Sequence, residues 1–177
     1  MTRNPLILAT LALSLVLGGC SNRSIGNKID DQFLEPNVSS AVSRAHADLT
    51  GPTSHIVVTA YNGVILLAGQ TPRADLKEQA GQVANGVQGV KKLHNEIQVM
   101  KPTSALARSN DALITSKIKT LMLADSNVPS AKIKVVTENG IVYLLGLVSR
   151  AEGAAATSLV SSVSGVQKIV TLYQYTN

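Results

Sequence analysis

The feature that most restricts how this chain can fold is an internal duplication. Residues 55–69 read HIVVTAYNGVILLAG and residues 132–146 read KIKVVTENGIVYLLG, so Asn62-Gly63 aligns with Asn139-Gly140. A repeat of this length is the sequence signature of a unit that occurs more than once in the fold. Because there are only two copies, the sequence predicts two small tandem domains of one fold rather than a solenoid.

Each copy contains a β-hairpin. Asn-Gly between two β-branched runs is the strongest short-range hairpin signal, because a type I′ turn needs positive φ at both central residues. The pattern predicts strands over His55–Ala60 and Val64–Gln70 in copy one, and over Lys132–Thr137 and Ile141–Val148 in copy two.

A helix and a last strand are predicted after each hairpin. Thr71-Pro72 offers a cap and a favoured first helical position in copy one, and Ser149-Arg-Ala-Glu152 is a capping box in copy two. A Val-x-Gly-Val motif then turns each copy into its last strand, over Lys91–Val99 or Lys168–Tyr175.

A helix is also predicted before each hairpin. Pro36 fits only a first turn, so the helix of copy one is expected to start near it. In copy two, Ser109 or Asn110 is the predicted cap. The predicted buried stripes are Val38, Val42, Ala45 and Leu49 in copy one, and Ile114, Ile118, Leu121 and Met122 in copy two.

The fold class that follows is α+β, with two tandem αββαβ domains. Two helices on one face of a three-stranded sheet make a two-layer unit with its own core. The expected boundaries are 35–99 for the first domain and 109–177 for the second, with 100–108 as a short linker. Val57 and Thr59 leave the second face of the sheet partly apolar, so that face needs a cover, which the other copy could provide.

The N terminus carries an export signal that ends at the only cysteine. Arg3 precedes the apolar run Leu6–Leu17, and Gly18-Gly19 then precede Cys20. This order resembles the lipobox of bacterial lipoproteins, which implies removal of residues 1–19, acylation of Cys20 and a tether over 20–34. Ser21 in place of Asp favours the outer membrane by the same resemblance. The alternative is an ordinary secreted protein with a free thiol.

The repeated unit resembles the BON domain. The resemblance is carried by the helix, the Val-x-Val-x-x-x-Asn-Gly-x-Val-x-Leu-x-Gly hairpin and the helix that ends in Val-x-Gly-Val, and it covers nearly all of the mature chain. It implies a non-enzymatic module of the bacterial envelope, on the periplasmic side of the outer membrane, that recognises phospholipid and supports membrane integrity.

The sequence gives little support for catalysis. His46, His55 and His94 all lie in copy one without metal-ligand spacing, and we interpret them as solvated surface histidines. No Gly-x-Ser-x-Gly elbow or phosphate loop is present. We read Asp30-Asp31 as helix-start residues rather than a catalytic carboxylate pair. No catalytic residue, metal or cofactor is expected apart from the lipid on Cys20, and no nucleic acid, because export removes that partner.

The first helix of copy two is the predicted phospholipid-binding site. Residues 100–177 hold eight basic and four acidic residues, which points to an anionic partner. Outside its buried stripe the helix interleaves apolar and cationic residues, a pattern typical of interfacial helices. Copy one has no large apolar residue on the outer face expected for its helix. The predicted binding residues are Arg108, which precedes the helix, and Leu113, Lys117, Lys119 and Leu123.

Other interpretations remain open at this stage. Leu113 could pack on the sheet edge or on copy one, and basic helix faces are usually only solvated. The alternative function is an envelope protein-interaction adaptor, in which the lipid is only an anchor and the sheet faces or copy one dock a partner. The chain is expected to be a monomer, because nothing in it specifies self-association.

Overall fold

The computed structural model describes residues 25–176, with side chains described from Asp31 onward. The predictions about the signal peptide and about Cys20 therefore lie outside the described residues. The elements in chain order are α1 Ile25–Ala45, β1 His55–Tyr61, β2 Val64–Thr71, α2 Ala74–Asn85, β3 Lys92–Asn95, β4 Gln98–Val99, α3 Ala105–Ala124, β5 Ile133–Glu138, β6 Ile141–Val148, α4 Arg150–Ser161 and β7 Lys168–Tyr175.

Both copies form the predicted αββαβ unit. In each sheet the hairpin strands pair antiparallel, and the last strands run parallel to the second hairpin strand, giving the order β1-β2-β3, with β4 also on β2, and the order β5-β6-β7. The two helices of each copy share one core with one face of its sheet. The predicted α+β class and the tandem arrangement are confirmed.

The Asn-Gly turns have the backbone that a type I′ hairpin requires. The φ angles are 51° at Asn62 and 79° at Gly63, and 52° at Asn139 and 72° at Gly140. Tyr61 pairs with Val64 across the first turn, so the register follows from the two-residue loop. The hairpin prediction is confirmed in both copies.

The two first helices start earlier than predicted. Ser104, rather than Ser109 or Asn110, caps α3, because its hydroxyl accepts the amide hydrogen of Ala107 at 3.2 Å. Arg108 therefore lies within the helix instead of before it.

In copy one, Pro36 lies inside α1 and does not start it. The turn before Pro36 is stabilised by Leu34, which is buried in the core although the sequence placed it in the tether. This burial offsets the backbone hydrogen bond that Pro36 cannot donate.

Three further predictions need correction, while the capping box at Ser149 and the strand Lys168–Tyr175 are confirmed. Thr71 does not cap α2, because it continues β2 and its hydroxyl accepts a hydrogen bond from Ser54 at 2.9 Å. The last strand of copy one is interrupted where Ile97 turns into the core, which separates β3 from β4. Leu121 is 37% exposed and lies outside the buried stripe of α3.

The second faces of the two sheets pack against each other. Their contact is a third apolar cluster with members from both copies. The chain therefore forms four layers, with α1 and α2 outside one sheet and α3 and α4 outside the other. Each copy covers the partly apolar sheet face of the other. The buried members are Tyr61, Leu66 and Ala68 from copy one and Tyr143, Leu145 and Leu172 from copy two.

Candidate functional site

Two sets of contacts fix which face of α3 points outward. Ile114, Ile118 and Met122 are buried in the core of copy two. One turn earlier, the Asp111 carboxylate accepts the amide hydrogens of Asn139 at 2.8 Å and Gly140 at 2.9 Å. The helix therefore cannot rotate about its axis without losing core packing or the contact with the hairpin turn.

The outward half of α3 carries a line of exposed leucines. Leu106 is 81% exposed and Leu113 is 70% exposed, and they lie seven residues apart, which places them on nearly the same side of a helix. Lys117 follows Leu113 by one turn and is also exposed. Leu113 therefore packs neither on the sheet edge nor on copy one. Leu106 was missed because the sequence placed it in the linker.

Lys119 and Leu123 form a second pair on the other flank of the outward half. They are one turn apart, and Leu123 is 76% exposed. At 100° per residue, this pair lies about a third of a turn round the helix from Leu113 and Lys117. The structure therefore brings the predicted residues into two neighbouring Leu–Lys lines rather than one patch.

Arg108 differs from the other predicted binding residues. Its guanidinium donates a hydrogen bond to the backbone carbonyl of Thr103, and its side chain is only partly exposed. It is therefore turned toward the segment before α3 while the lysines extend into solvent. Arg108 contributes positive charge at the start of the helix, but its geometry favours a positioning role for the linker.

A cavity of about 220 Å³ opens beside the second pair. It lies between the C-terminal half of α3 and the segment that leads into β5. Its floor is apolar, because Met122, Ile133 and Val135 are all buried core residues. The chain offers an apolar recess next to an exposed lysine.

Copy one carries an exposed aromatic residue at the position that corresponds to Leu113. Phe33 follows the turn-binding Asp31 by two residues, as Leu113 follows Asp111, and it is 65% exposed. The expectation that this helix shows no large apolar residue is wrong, because α1 starts before Pro36. The residues equivalent to Lys117 and Lys119 are Asn37 and Ser39, so the outer face of copy one lacks the two cations.

Asp31 and Asp111 have the same role in the two copies. The carboxylate of Asp31 accepts the amide hydrogens of Asn62 at 2.6 Å and Gly63 at 2.9 Å. Asp31 thus ties the first helix to the hairpin turn instead of acting at a helix start, as the sequence suggested. Asp31 and Asp111 occupy equivalent positions before the buried stripes of the two first helices. This correspondence in the sequence could have indicated a shared contact.

The histidines do not share one environment. His46 Nδ1 accepts a hydrogen bond from the amide of Asp48. His55 Nε2 lies 3.6 Å from the Glu138 carboxylate in copy two, so it belongs to the contact between the copies and is not simply solvated. Burial lowers the pKa of His94, and nearby Lys92 lowers it further. Among the described residues, no three His, Cys, Asp or Glu side chains are placed to hold a metal ion.

Glu138 is a buried carboxylate in the contact between the copies. Burial raises its pKa above the ordinary 4.5, and the neighbouring His55 only partly offsets this. Gln70 donates a hydrogen bond to it at 3.4 Å. Within residues 25–176, no helix is long and apolar enough to cross a bilayer.

The BON domain family model matches this chain twice, over residues 30–101 and 110–177. The outer membrane lipoprotein DolP of Haemophilus influenzae is 37% identical over 154 residues, which cover 86% of this chain and 78% of that protein. A 21 kDa hemolysin of Actinobacillus pleuropneumoniae is 39% identical over 153 residues, with 86% and 78% covered. Osmotically-inducible protein Y of Escherichia coli is 33% identical over 152 residues, with 84% and 74% covered.

Proposed function

This chain belongs to the BON-domain family, and from that membership we propose that it is a lipid-anchored envelope protein whose second BON domain binds anionic phospholipid through α3. The module is non-enzymatic and monomeric, and it supports the integrity of the outer membrane. The observation that carries the proposal is the pair of Leu–Lys lines on the outward half of α3, where Leu113 and Leu123 are 70% and 76% exposed above a buried stripe.

The chemistry of this surface suits the boundary between headgroups and acyl chains. Leucines that leave water for the acyl region each contribute about 2 kcal/mol, and a lysine near an anionic surface contributes about 1 kcal/mol. Insertion also has an entropic cost, so α3 alone gives weak and reversible attachment. A helix that lies in the interface plane needs no spanning segment.

The lipid anchor makes a weak contact useful. An acyl chain on Cys20 would hold both domains near one membrane, which raises the effective concentration of α3 at that membrane. The lipobox pattern around Cys20 supports acylation, and the outer membrane lipoprotein name of the Haemophilus influenzae relative supports the location. The domains would then face the periplasm.

Vesicle co-sedimentation tests the proposal. A chain that starts at Ser21 keeps every described residue and separates binding by α3 from anchoring by the lipid. Its binding to vesicles of anionic phospholipid is compared with its binding to neutral vesicles. The variant is Leu113→Ala with Lys117→Ala. The matched control changes the equivalent positions of copy one, Phe33→Ala with Asn37→Ala.

We expect binding to anionic vesicles only. The double variant of α3 should lose about 3 kcal/mol, which is roughly a hundredfold in partitioning, while the control in copy one binds like the parent chain. Equal binding to neutral and anionic vesicles would overturn the proposal. So would equal losses in the two double variants.

The alternative function is an adaptor that docks an envelope protein. The sheet faces are unsuited to this role, because they cover each other. Phe33 is the observation that favours it, since it is exposed on copy one beside a cavity of about 270 Å³ that Lys91 also lines. A photo-crosslinker at position 33 in living cells would give one defined protein adduct if the adaptor function is correct, and lipid adducts or none if it is not.

A further inference from the structure

The cavity beside α3 has an apolar floor and a mixed rim. Met122, Ile133 and Val135 form the floor and are exposed by 1%, 8% and 5%. The rim is formed by the exposed residues Leu123, Ala131 and Lys119, with Ser130 between the helix and β5. A solute that enters therefore meets hydrocarbon below and a single cation at the mouth.

The size and lining of the cavity favour an apolar occupant over water. Its volume is about 220 Å³. The cavity opens to solvent between exposed residues, and its floor is hydrocarbon. An apolar group that covers this floor removes apolar surface from water, which is favourable. A flexible hydrocarbon segment fits this space better than a polar metabolite.

Lys119 indicates the charge of the occupant. Among the side chains that the structure describes, Lys119 forms no ion pair, whereas Lys132 nearby is held by Glu152 at 2.9 Å. A free ammonium at the mouth of an apolar recess is complementary to an anionic group joined to a hydrocarbon chain. This is the chemistry of a fatty acid or of an anionic phospholipid.

We propose that this cavity binds part of the acyl chain of an anionic amphiphile, with Lys119 paired to the anionic group. The inference rests on the proposed function, because Lys119 and Leu123 belong to the same outward face of α3. It adds a defined site for an acyl chain to what would otherwise be contact with a bilayer surface. The acyl chain comes either from a membrane phospholipid or from a free fatty acid.

Methyl NMR of the chain that starts at Ser21 gives a clean measurement. That chain keeps two methionines, Met122 in the cavity floor and Met100 outside the cavity. The probe is decanoate below its micelle concentration, with decanol as the uncharged comparison. Ala131→Phe fills the mouth from an exposed position. Ala74→Phe places the same ring at an exposed position in copy one and serves as the matched control.

We expect decanoate to shift the Met122 methyl signal and to leave the Met100 signal in place. Decanol should bind about fivefold more weakly than decanoate, because it lacks the charge that interacts with Lys119, and one such interaction contributes about 1 kcal/mol. Ala131→Phe should abolish the shift and Ala74→Phe should not. Lys119→Gln, an exposed change that leaves the core intact, should reduce decanoate binding to the level of decanol.

Two results would overturn the inference. One is the absence of any Met122 shift with decanoate. The other is a shift that Ala131→Phe and Lys119→Gln both leave unchanged. The test is independent of the vesicle experiment, because Leu113 and Lys117 do not line the cavity. Their double variant should lose vesicle binding and keep the decanoate shift.

A second NMR experiment decides whether the acyl chain comes from a phospholipid or from a fatty acid. Bicelles of anionic phospholipid carry a nitroxide on one acyl chain. Broadening of the Met122 signal in bicelles supports the inference with a membrane phospholipid as the source. A decanoate shift without broadening in bicelles supports it with a free fatty acid as the source.

Discussion

Tyr61 and Glu138 occupy equivalent positions in the two copies, and each reaches the same two positions of the other copy. The Tyr61 hydroxyl donates to the carbonyl of Lys132 at 2.6 Å and accepts the amide hydrogen of Leu147 at 3.2 Å. Glu138 contacts His55 at 3.6 Å and Gln70 at 3.4 Å, the residues that align with Lys132 and Leu147. The two copies are therefore related by an approximate twofold axis.

This symmetry bears on how the chain can meet a membrane. In an isologous contact the same patch is used by both partners, so the surfaces opposite that patch face in opposite directions. The helices of the two copies form the two outer layers. A flat bilayer that touches Leu113 on one outer layer does not reach Phe33 on the other. Only one of the two first helices can contact a given membrane.

Removal of the Tyr61 hydroxyl should loosen the contact between the copies. Tyr61→Phe keeps the buried ring and deletes two hydrogen bonds, each of which contributes about 1 kcal/mol. We expect the free energy of unfolding to fall by about 2 kcal/mol in urea titrations. Tyr175→Phe, at a 48% exposed tyrosine, is the matched control and should stay within about 0.5 kcal/mol of the parent chain.

Stability should depend on the ionisation of Glu138. Because burial raises its pKa in the folded chain, the folded state holds the proton more tightly than the unfolded state. The contribution of Glu138 to the free energy of unfolding is fully present below the ordinary pKa of 4.5, and it is lost as pH rises through the pKa of the folded state.

The neutral variant Glu138→Gln should therefore melt higher than the parent chain at neutral pH, and the difference should shrink as pH falls through the folded pKa of Glu138 and reach its minimum below 4.5. Thermal unfolding followed by circular dichroism over this range measures it. Glu78→Gln, at an exposed glutamate of α2, controls for the loss of one charge. A lower melting temperature for Glu138→Gln at neutral pH would show that the pairing with His55 outweighs the cost of burial.

The aspartates that bind the hairpin turns should contribute more to the free energy of unfolding than an ordinary aspartate on a helix. Asp111→Asn keeps the shape of the side chain but leaves one acceptor for two amide hydrogens. A hydrogen bond to a charged group contributes about 2 kcal/mol, so a loss of that size is expected in urea unfolding. Asp125 accepts the amide hydrogen of Asn127 with a single oxygen, Oδ1, at 2.9 Å. Asp125→Asn keeps that oxygen in a partly exposed loop, so it should change stability by less than about 0.5 kcal/mol.

Local signals in the sequence were enough for the fold. The Asn-Gly pairs specify their turns through backbone conformation, and the capping box at Ser149 satisfies its own amide groups, so both patterns act without distant residues. Because the sequence is duplicated, the same elements were predicted independently in each copy, and each prediction supported the other. For these turns and this cap, the local sequence was sufficient.

The failed prediction of where α1 begins has a cause that lies outside the local sequence. Proline favours the first turn of a helix, so α1 was predicted to begin near Pro36. Burial of Leu34 against the sheet instead stabilises helix on the N-terminal side of Pro36. The same extension brought Phe33 onto an outer face. The Tyr61–Glu138 relationship could not be found from the sequence, because it depends on how the two sheets pack.

The anchor at Cys20 can be tested separately from the folded domains. If the lipobox prediction holds, mass spectrometry of the native protein shows an N-terminal Cys20 with attached acyl chains. Cys20→Ser should then move the chain from the membrane fraction to the soluble periplasmic fraction. An unmodified thiol on membrane-bound native protein would mean that something other than this lipid holds the chain there.

The most direct test of the central claim is the environment of position 113 at a membrane. The chain has no tryptophan, so Leu113→Trp introduces a single tryptophan as the reporter. With anionic vesicles, we predict that its emission moves to shorter wavelength and is quenched by brominated acyl chains, while Phe33→Trp in the same assay stays solvent-like. An emission from Leu113→Trp that anionic vesicles leave unchanged would contradict the account.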